Sequence, residues 1–275
     1  MNGIVFCGCS FTWGQGLYYY SDLKTIVEPP EYTFEWDLVR DSHKRYMFAN
    51  RWARLVANHF NTFEVVKNSN GGQESQSLEF LDTIFHRSVN SQPRLDTPFY
   101  LNEDYDYSEI SYIILQTSIP IRNRFNFELN GKKYNYELGD SDSRVQNLLF
   151  EFMRQNNISD SDKLYDLLIE QQFEKLVNAF QFYESKGIKC RIFCWQDHYL
   201  QYIKENKWMF DRFITIDYKG ITYDSIYQMA LKNEHLYIKH DHEYFGDVTP
   251  KDHHPSKECH RVVADAIIKK IKSEL

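Results

Sequence analysis

The chain has 275 residues, 42% of them hydrophobic, enough to bury a substantial core in one large α/β domain or two small ones. Its formal charge of −7 argues against a general nucleic-acid binder, which shows a basic face. No apolar stretch approaches the roughly 20 residues that span a bilayer, and the opening residues lack the basic segment, apolar segment and small-residue cleavage site of a signal peptide. The expectation is a cytoplasmic protein with neither nucleic-acid nor membrane partners.

The pattern along the chain predicts strands alternating with helices. Gly3–Cys9 reads as a short, wholly buried strand that ends in the turn Gly8-Cys9-Ser10. Residues 17–45, rich in tyrosine and interrupted by Pro29-Pro30, read as an irregular insertion that ends near residue 47. Residues 48–60 place Trp52, Leu55, Val56 and His59 on one helical stripe. A second strand over 63–67 leads into Asn68-Ser69-Asn70-Gly71-Gly72, and a helix over 74–89 buries Leu78, Leu81, Phe85 and Val89. A second polar insertion runs over 91–107, and Ile110–Leu115 forms the third strand. Residues 125–138 alternate on both sides of Asn130-Gly131, the signature of a two-residue hairpin turn. Helices over 144–155 and 161–185 follow, the second closed by Gly187. Ile188–Trp195 is the fourth strand and Phe213–Ile216 a short fifth, and a last helix starts at Ser256 as N-cap and runs to about Lys272.

This alternation implies a mainly parallel sheet covered on both faces, in a single domain over 1–275 with insertions over 17–47, 91–107 and 125–138. Ligand sites in such folds lie at the carboxyl ends of the strands. The loops that fall there begin at Ser10, Asn68, Gln116 and Gln196. Cys7, Cys9, Cys190, Cys194 and Cys259 include no C-x-x-C pair and read as buried, reduced thiols.

A serine at the end of a buried strand can expose its hydroxyl, but at neutral pH it needs a positioned base to act as a nucleophile. The segment KDHHPSKECH supplies one near the other end of the chain. Pro255 restricts His254 to extended geometry, and side chains two apart on extended backbone lie on one side. Asp252 can then hold the His254 imidazole in the tautomer that accepts the serine proton. Acyl transfer also needs hydrogen-bond donors aimed at the oxygen that gains charge. The backbone N–H of Ser10, a bare N–H in the Gly71-Gly72 turn, and the side chains of Gln116, Thr117 and Ser118 are candidates. Each feature has a plainer reading: Ser10 as a turn residue or helix cap, and Gly71-Gly72 as a tight turn. Arg122 and Arg124 can bind an anionic substrate group or form surface ion pairs. Trp13 can stack on a sugar ring or pack against the insertion. The histidines of 240–260 lack the H-E-x-x-H spacing of a metal site. The phosphate-loop spacing and the G-x-S-x-G elbow are absent as well.

Taken together, these segments resemble the SGNH (GDSL-like) hydrolases. GCSFTWGQG (residues 8–16) resembles the family's first motif block, NSNGGQES (68–75) the second and DHHPS (252–256) the last. The third block departs: where the family has Gly-x-Asn, this chain has Gln116-Thr117-Ser118. The resemblance implies a flavodoxin-like three-layer α/β/α sandwich and a serine esterase with a Ser10–His254–Asp252 triad. It implies an oxyanion hole formed by the N–H groups of Ser10 and Gly72 and by the Ser118 hydroxyl, which replaces the asparagine. The expected substrate is a small-molecule or glycan ester, an O-acetyl sugar for preference. Arg122 and Trp13 are candidate substrate contacts, and neither metal nor cofactor is implied. An O-acyltransferase on the same site and a non-catalytic binding module are the alternative readings. The insertions and the hairpin are expected to wall or cap the cleft, and the oligomeric state is not fixed by the sequence.

Overall fold

The structure, a computed structural model, describes residues 1–9, 12, 17, 41–66, 74–85, 105–118, 120, 124–137, 143–239 and 251–275. The protein is a mixed α/β fold built on a four-stranded parallel sheet: β1 (Gly3–Cys7), β2 (Glu64–Val66), β3 (Ile110–Thr117) and β6 (Lys189–Cys194), in the order β2-β1-β3-β6. The chain starts in the middle of the sheet, steps to one edge, returns past β1 and continues outward, which is the flavodoxin-like winding. The fifth position is rudimentary. Phe213 makes a single parallel bridge to Ile192, with Ile192 N–H donating to the Arg212 carbonyl (3.1 Å) and Ile214 N–H to the Ile192 carbonyl (2.8 Å). The expected strand over Phe213–Ile216 is thus reduced to that bridge. The chain then turns into an unanticipated antiparallel hairpin, β7 (Ile216–Tyr218) with β8 (Ile221–Tyr223), through Lys219 and Gly220 at positive φ.

Both faces of the parallel sheet are covered, which favours apolar residues along its strands. On one face Ile4, Phe6, Tyr112, Ile114 and Phe193 pack against α2 (Trp52–His59), α8 (Ile226–Lys232) and α9 (Lys257–Lys272). On the other, Val5, Cys7, Ile113, Leu115, Ile192 and Cys194 meet α3 (Glu74–Phe85), α5 (Ser161–Ser185), α6 (Leu200–Glu205) and α7 (Lys207–Phe210). Three layers result. All five cysteines are buried, although β1 ends at Cys7 and leaves Cys9 in the turn beyond it.

Two expectations over the first third of the chain need correction. The segment read as irregular up to residue 45 is helical from residue 41 on, as the start of α1 (Asp41–Asn50). The single helix expected over 48–60 is broken at Arg51, whose backbone is extended (φ −71°, ψ 147°). The break lets the Arg51 guanidinium reach Glu64 Oε1 at 2.7 Å, where Arg54 joins it at 2.9 Å. It also rotates the buried stripe of α2 to Trp52, Ala53, Val56 and Ala57, which leaves His59 exposed.

The hairpin at Asn130-Gly131 forms as the alternation predicts. β4 (Arg124–Leu129) pairs with β5 (Lys132–Glu137) across Asn130 (φ 52°) and Gly131 (φ 74°), the backbone of a type I′ turn. It is more than an appendage. Phe125, Phe127, Leu129 and Tyr136 build a separate core with Leu149 of α4 (Ser143–Gln155) and with Leu164 and Leu168 of α5. The 25-residue α5 is about 37 Å long, so its first half serves the hairpin and its second half the sheet. Among the described residues, no helix is long and apolar enough to cross a membrane.

α5 stops in a Schellman motif: Gly187 N–H donates to the Glu184 carbonyl (3.0 Å) and Ile188 N–H to the Tyr183 carbonyl (3.2 Å), with Gly187 at φ +87°. A Cβ at Gly187 would meet nothing within 4 Å, so any cost of adding one is purely conformational. Gly187→Ala is expected to destabilise the protein by about 1 kcal/mol, read as a lower urea midpoint with an unchanged slope. An unchanged midpoint would contradict this account of how the helix ends.

Candidate active site

A parallel sheet gathers every strand's carboxyl end at one edge, and the ends of this sheet can be placed by their side-chain contacts. Glu274, just past α9, marks the amino edge. Arg191 Nε donates to its Oε1 (2.7 Å) and Nη2 to its Oε2 (2.5 Å), while Lys189 Nζ donates to its carbonyl (3.1 Å) and the Tyr112 hydroxyl to Oε2 (3.4 Å). Tyr112 and Lys189 are paired at the start of β3 and β6. The 16-residue α9 therefore runs back about 24 Å across the sheet, and its first turn lies at the carboxyl edge. Ser256 caps it, accepting from Cys259 N–H (3.2 Å), and Ser256 N–H donates to the Leu236 carbonyl (2.7 Å). Immediately before that cap runs β10 (Lys251–Pro255), an extended strand paired antiparallel with β9 (Tyr237–Lys239). It carries Asp252 and the half-buried His254.

The ends of β1 and β3 lie at the same edge. Cys7 is level with Leu115, so the turn after β1 lies beside Gln116, Thr117 and Ser118, all three buried. Ser118 follows the last residue of β3. Ser10, Gly72, Arg122 and Trp13 lie outside the described residues, as does the side chain of Asp252. Gln116 is not the free donor that the sequence offered. Its Oε1 accepts from Thr12 Oγ1 at 2.7 Å, and its Nε2 donates to Cys9 Sγ at 3.1 Å. Gly8 is needed for this packing, because a Cβ there would fall 2.1 Å from Thr12 Oγ1 and 3.0 Å from Gln116 Cβ. The loop after β6 is likewise committed to the fold. Asp197 accepts from Ser225 Oγ and from Gln228 Nε2 (3.0 Å), which anchors the start of α8. His198 lies between Gln196 Oε1 (2.8 Å) and the Tyr165 hydroxyl (3.2 Å), and burial lowers its pKa.

His260 is a further member of this edge, which the sequence offered only as part of a metal-like histidine group. It lies fully buried on the apolar stripe of α9, between Cys259 and Val263. Its Nδ1 accepts from the Trp52 backbone N–H at 3.2 Å, capping the first amide of α2, and its ring lies 4.7 Å from the Trp52 ring. The acceptor role requires a neutral ring with the proton on Nε2. Burial, reinforced by the neighbouring His254 and Arg51, pushes its pKa down to about 3. The periodicity of α9 marks position 260 as inward-facing, but the break in the helix at Arg51 that gives its ring a partner has no clear signature in the sequence. Among the described residues, no three His, Cys, Asp or Glu side chains converge as a metal site.

No protein-family model matches the chain, and no curated protein matches it. One solved structure is similar: a carbohydrate esterase family 2 enzyme with a carbohydrate-binding domain from Corynascus thermopiles (Myceliophthora fergusii). The likeness, at 12% identity and a TM-score of 0.34, covers 98% of this chain and 67% of that one. At that level of superposition it carries no argument about this chain.

The unfolded chain protonates His260 near pH 6.5, whereas the folded chain does so only near 3. The contribution of this group to stability is therefore complete above about pH 6.5 and declines by up to about 1.4 kcal/mol for each pH unit below it, until the folded pKa is reached. His260→Gln keeps an acceptor for the Trp52 amide without a titrating ring. Urea titrations of this variant are expected to lose stability less steeply than the parent between pH 6.5 and 5. Equal slopes would show that His260 does not control this dependence.

Proposed function

We propose that this chain is a serine esterase of the SGNH type that hydrolyses small acyl esters, with an O-acetylated sugar as the favoured substrate class. One observation carries the reading. A single sheet edge collects the end of β1, which leads into Gly8-Cys9-Ser10, the end of β3 with the buried Ser118, and the strand with Asp252 and His254 just before the N-cap of α9. That convergence of distant segments is what a serine–histidine mechanism needs.

In this mechanism Ser10 Oγ attacks the ester carbonyl while His254 accepts its proton. Asp252 holds the imidazole in the productive tautomer and balances the charge it acquires. The tetrahedral oxyanion takes hydrogen bonds from the N–H groups of Ser10 and Gly72 and from the Ser118 hydroxyl. A donor set in a dry site is worth more than the same donors in water, and burial of Ser118 supports its use there. Collapse of the intermediate expels the alcohol, which takes the proton from His254. Water then repeats the cycle on the acyl-serine. Arg122 and Trp13 would contact the polar and flat parts of a sugar-like leaving group.

Hydrolysis of p-nitrophenyl acetate by the parent and by Ser10→Ala, His254→Ala and Asp252→Asn tests this assignment. Losses of about 10³-fold or more in kcat are expected for the first two, because members of a triad act as a unit. A fluorophosphonate probe is expected to label the parent and not Ser10→Ala. Equal ester turnover by parent and Ser10→Ala would end the hydrolase reading, and failure to label the parent at Ser10 would favour a non-catalytic binding module.

A further inference from the structure

We propose that Gln116 is a positioning residue for the chain just past β1, its carboxamide acting as a tether between Cys9 and Thr12, the described residues on either side of position 10. This inference rests on the reading of Ser10 as nucleophile and adds to it the device that holds the turn in place.

Gln116 is 2% exposed and Thr12 1% exposed, so each polar atom there must find a partner within the protein or forfeit its hydration uncompensated. The carboxamide finds partners on both flanks of position 10. Its oxygen accepts from Thr12 Oγ1 at 2.7 Å, and its nitrogen donates to Cys9 Sγ at 3.1 Å. Both partners are distant in sequence, at separations of 104 and 107 residues. Gln116 itself lies in β3, in register with Phe193 of β6. The tether therefore connects the chain past β1 to β3, a strand paired on both sides. Gly8 completes the device: only an absent Cβ leaves room for Thr12 Oγ1 to reach the amide.

A methyl group, hydrophobic and of the right size, would fill the space that Thr12 Oγ1 occupies. The sequence instead places a hydroxyl opposite an amide, a pair that fixes a direction as well as a volume. Hydrogen bonds that fix a direction matter most where reacting atoms must hold a position, since a displacement of about 1 Å at a reacting centre can cost about 10²-fold in rate. Gln116 does not touch substrate in this account. It acts through the turn.

Thr12→Val removes the hydroxyl while preserving shape, Thr12→Ser preserves the hydroxyl, and Gln116→Met removes both arms of the tether. With p-nitrophenyl acetate, Thr12→Val and Gln116→Met are expected to lower kcat by about 10- to 100-fold with KM within about twofold. Thr12→Ser is expected to recover kcat to within a few-fold of the parent. Labelling by the fluorophosphonate probe is expected to slow in the same order. A folded Thr12→Val with parental kcat and labelling rate would overturn the proposal. Hydrogen exchange of the peptide spanning residues 8–13 reads the tether without any reference to catalysis. Exchange there is expected to quicken about tenfold in Thr12→Val while β3 and β6 keep parental protection. Unchanged exchange would overturn the tether even if the parent proved inactive, whereas a parent that is never labelled, together with quickened exchange in Thr12→Val, would overturn the esterase reading and leave the tether standing.

Discussion

In a parallel sheet every strand must point the same way, and that requirement organises this molecule. Each return from the end of one strand to the start of the next needs a crossover, and the crossovers cover both faces. The strands therefore lose contact with water and can be apolar along most of their length, as GIVFC and the YIIL of β3 are. The carboxyl edge is left as the place where the chain leaves the core at each crossing. There the backbone passes from paired to unpaired geometry, and side chains of distant origin are brought together.

The amino edge is built differently, and the contrast is informative. There Arg191, Glu274, Lys189, Glu184 and Arg212 form a charged network in which the Glu274 carboxylate is held in two-pronged fashion by one guanidinium. Such pairing offsets the desolvation of its members but stabilises only modestly beyond that. Its structural consequence is to fix the far end of α9. Because a helix is stiff, fixing one end and packing its apolar face along Ile4, Phe6 and Tyr112 also fixes the other. The position of His254 thus depends on contacts about 24 Å away, at the opposite side of the sheet.

The strands of the parallel sheet and the long helices were legible in the sequence because their patterns are local. Runs of β-branched and apolar residues, the Asn130-Gly131 turn, Gly187 and the Ser256 cap each carry their own physical cause within a few residues. What escaped depends on partners far away. The break at Arg51 is set by Glu64 and by His260, separated from Arg51 or Trp52 by 13 and 208 residues, and helix propensity alone favours continuation through it. The β7–β8 hairpin was missed because its strands are only three residues each, too short for alternation to register. At the candidate site the residue types were legible but their partnerships were not. Gln116 read as a donor for substrate and proves to be engaged with Thr12 and Cys9.

The distribution of buried polar groups separates the two edges further. A core side chain that needs hydrogen bonds imposes a constraint that an apolar one does not, since it tolerates few positions for its neighbours. Among the buried polar residues of this chain, Thr12, Gln116, Thr117, Ser118, Ser256 and His260 lie toward the carboxyl edge: in the last two residues of β3, in the segments just past the strands, and at the start of α9. The interior of the sheet between Ile4 and Leu115 contains almost none. An apolar filling would have closed that edge at lower risk of unpaired groups, and the sequence forgoes it where β1, β3 and α9 converge. Polar groups buried at the sheet's end in this way constrain the chain that leaves β1 and β3 more tightly than an apolar filling would.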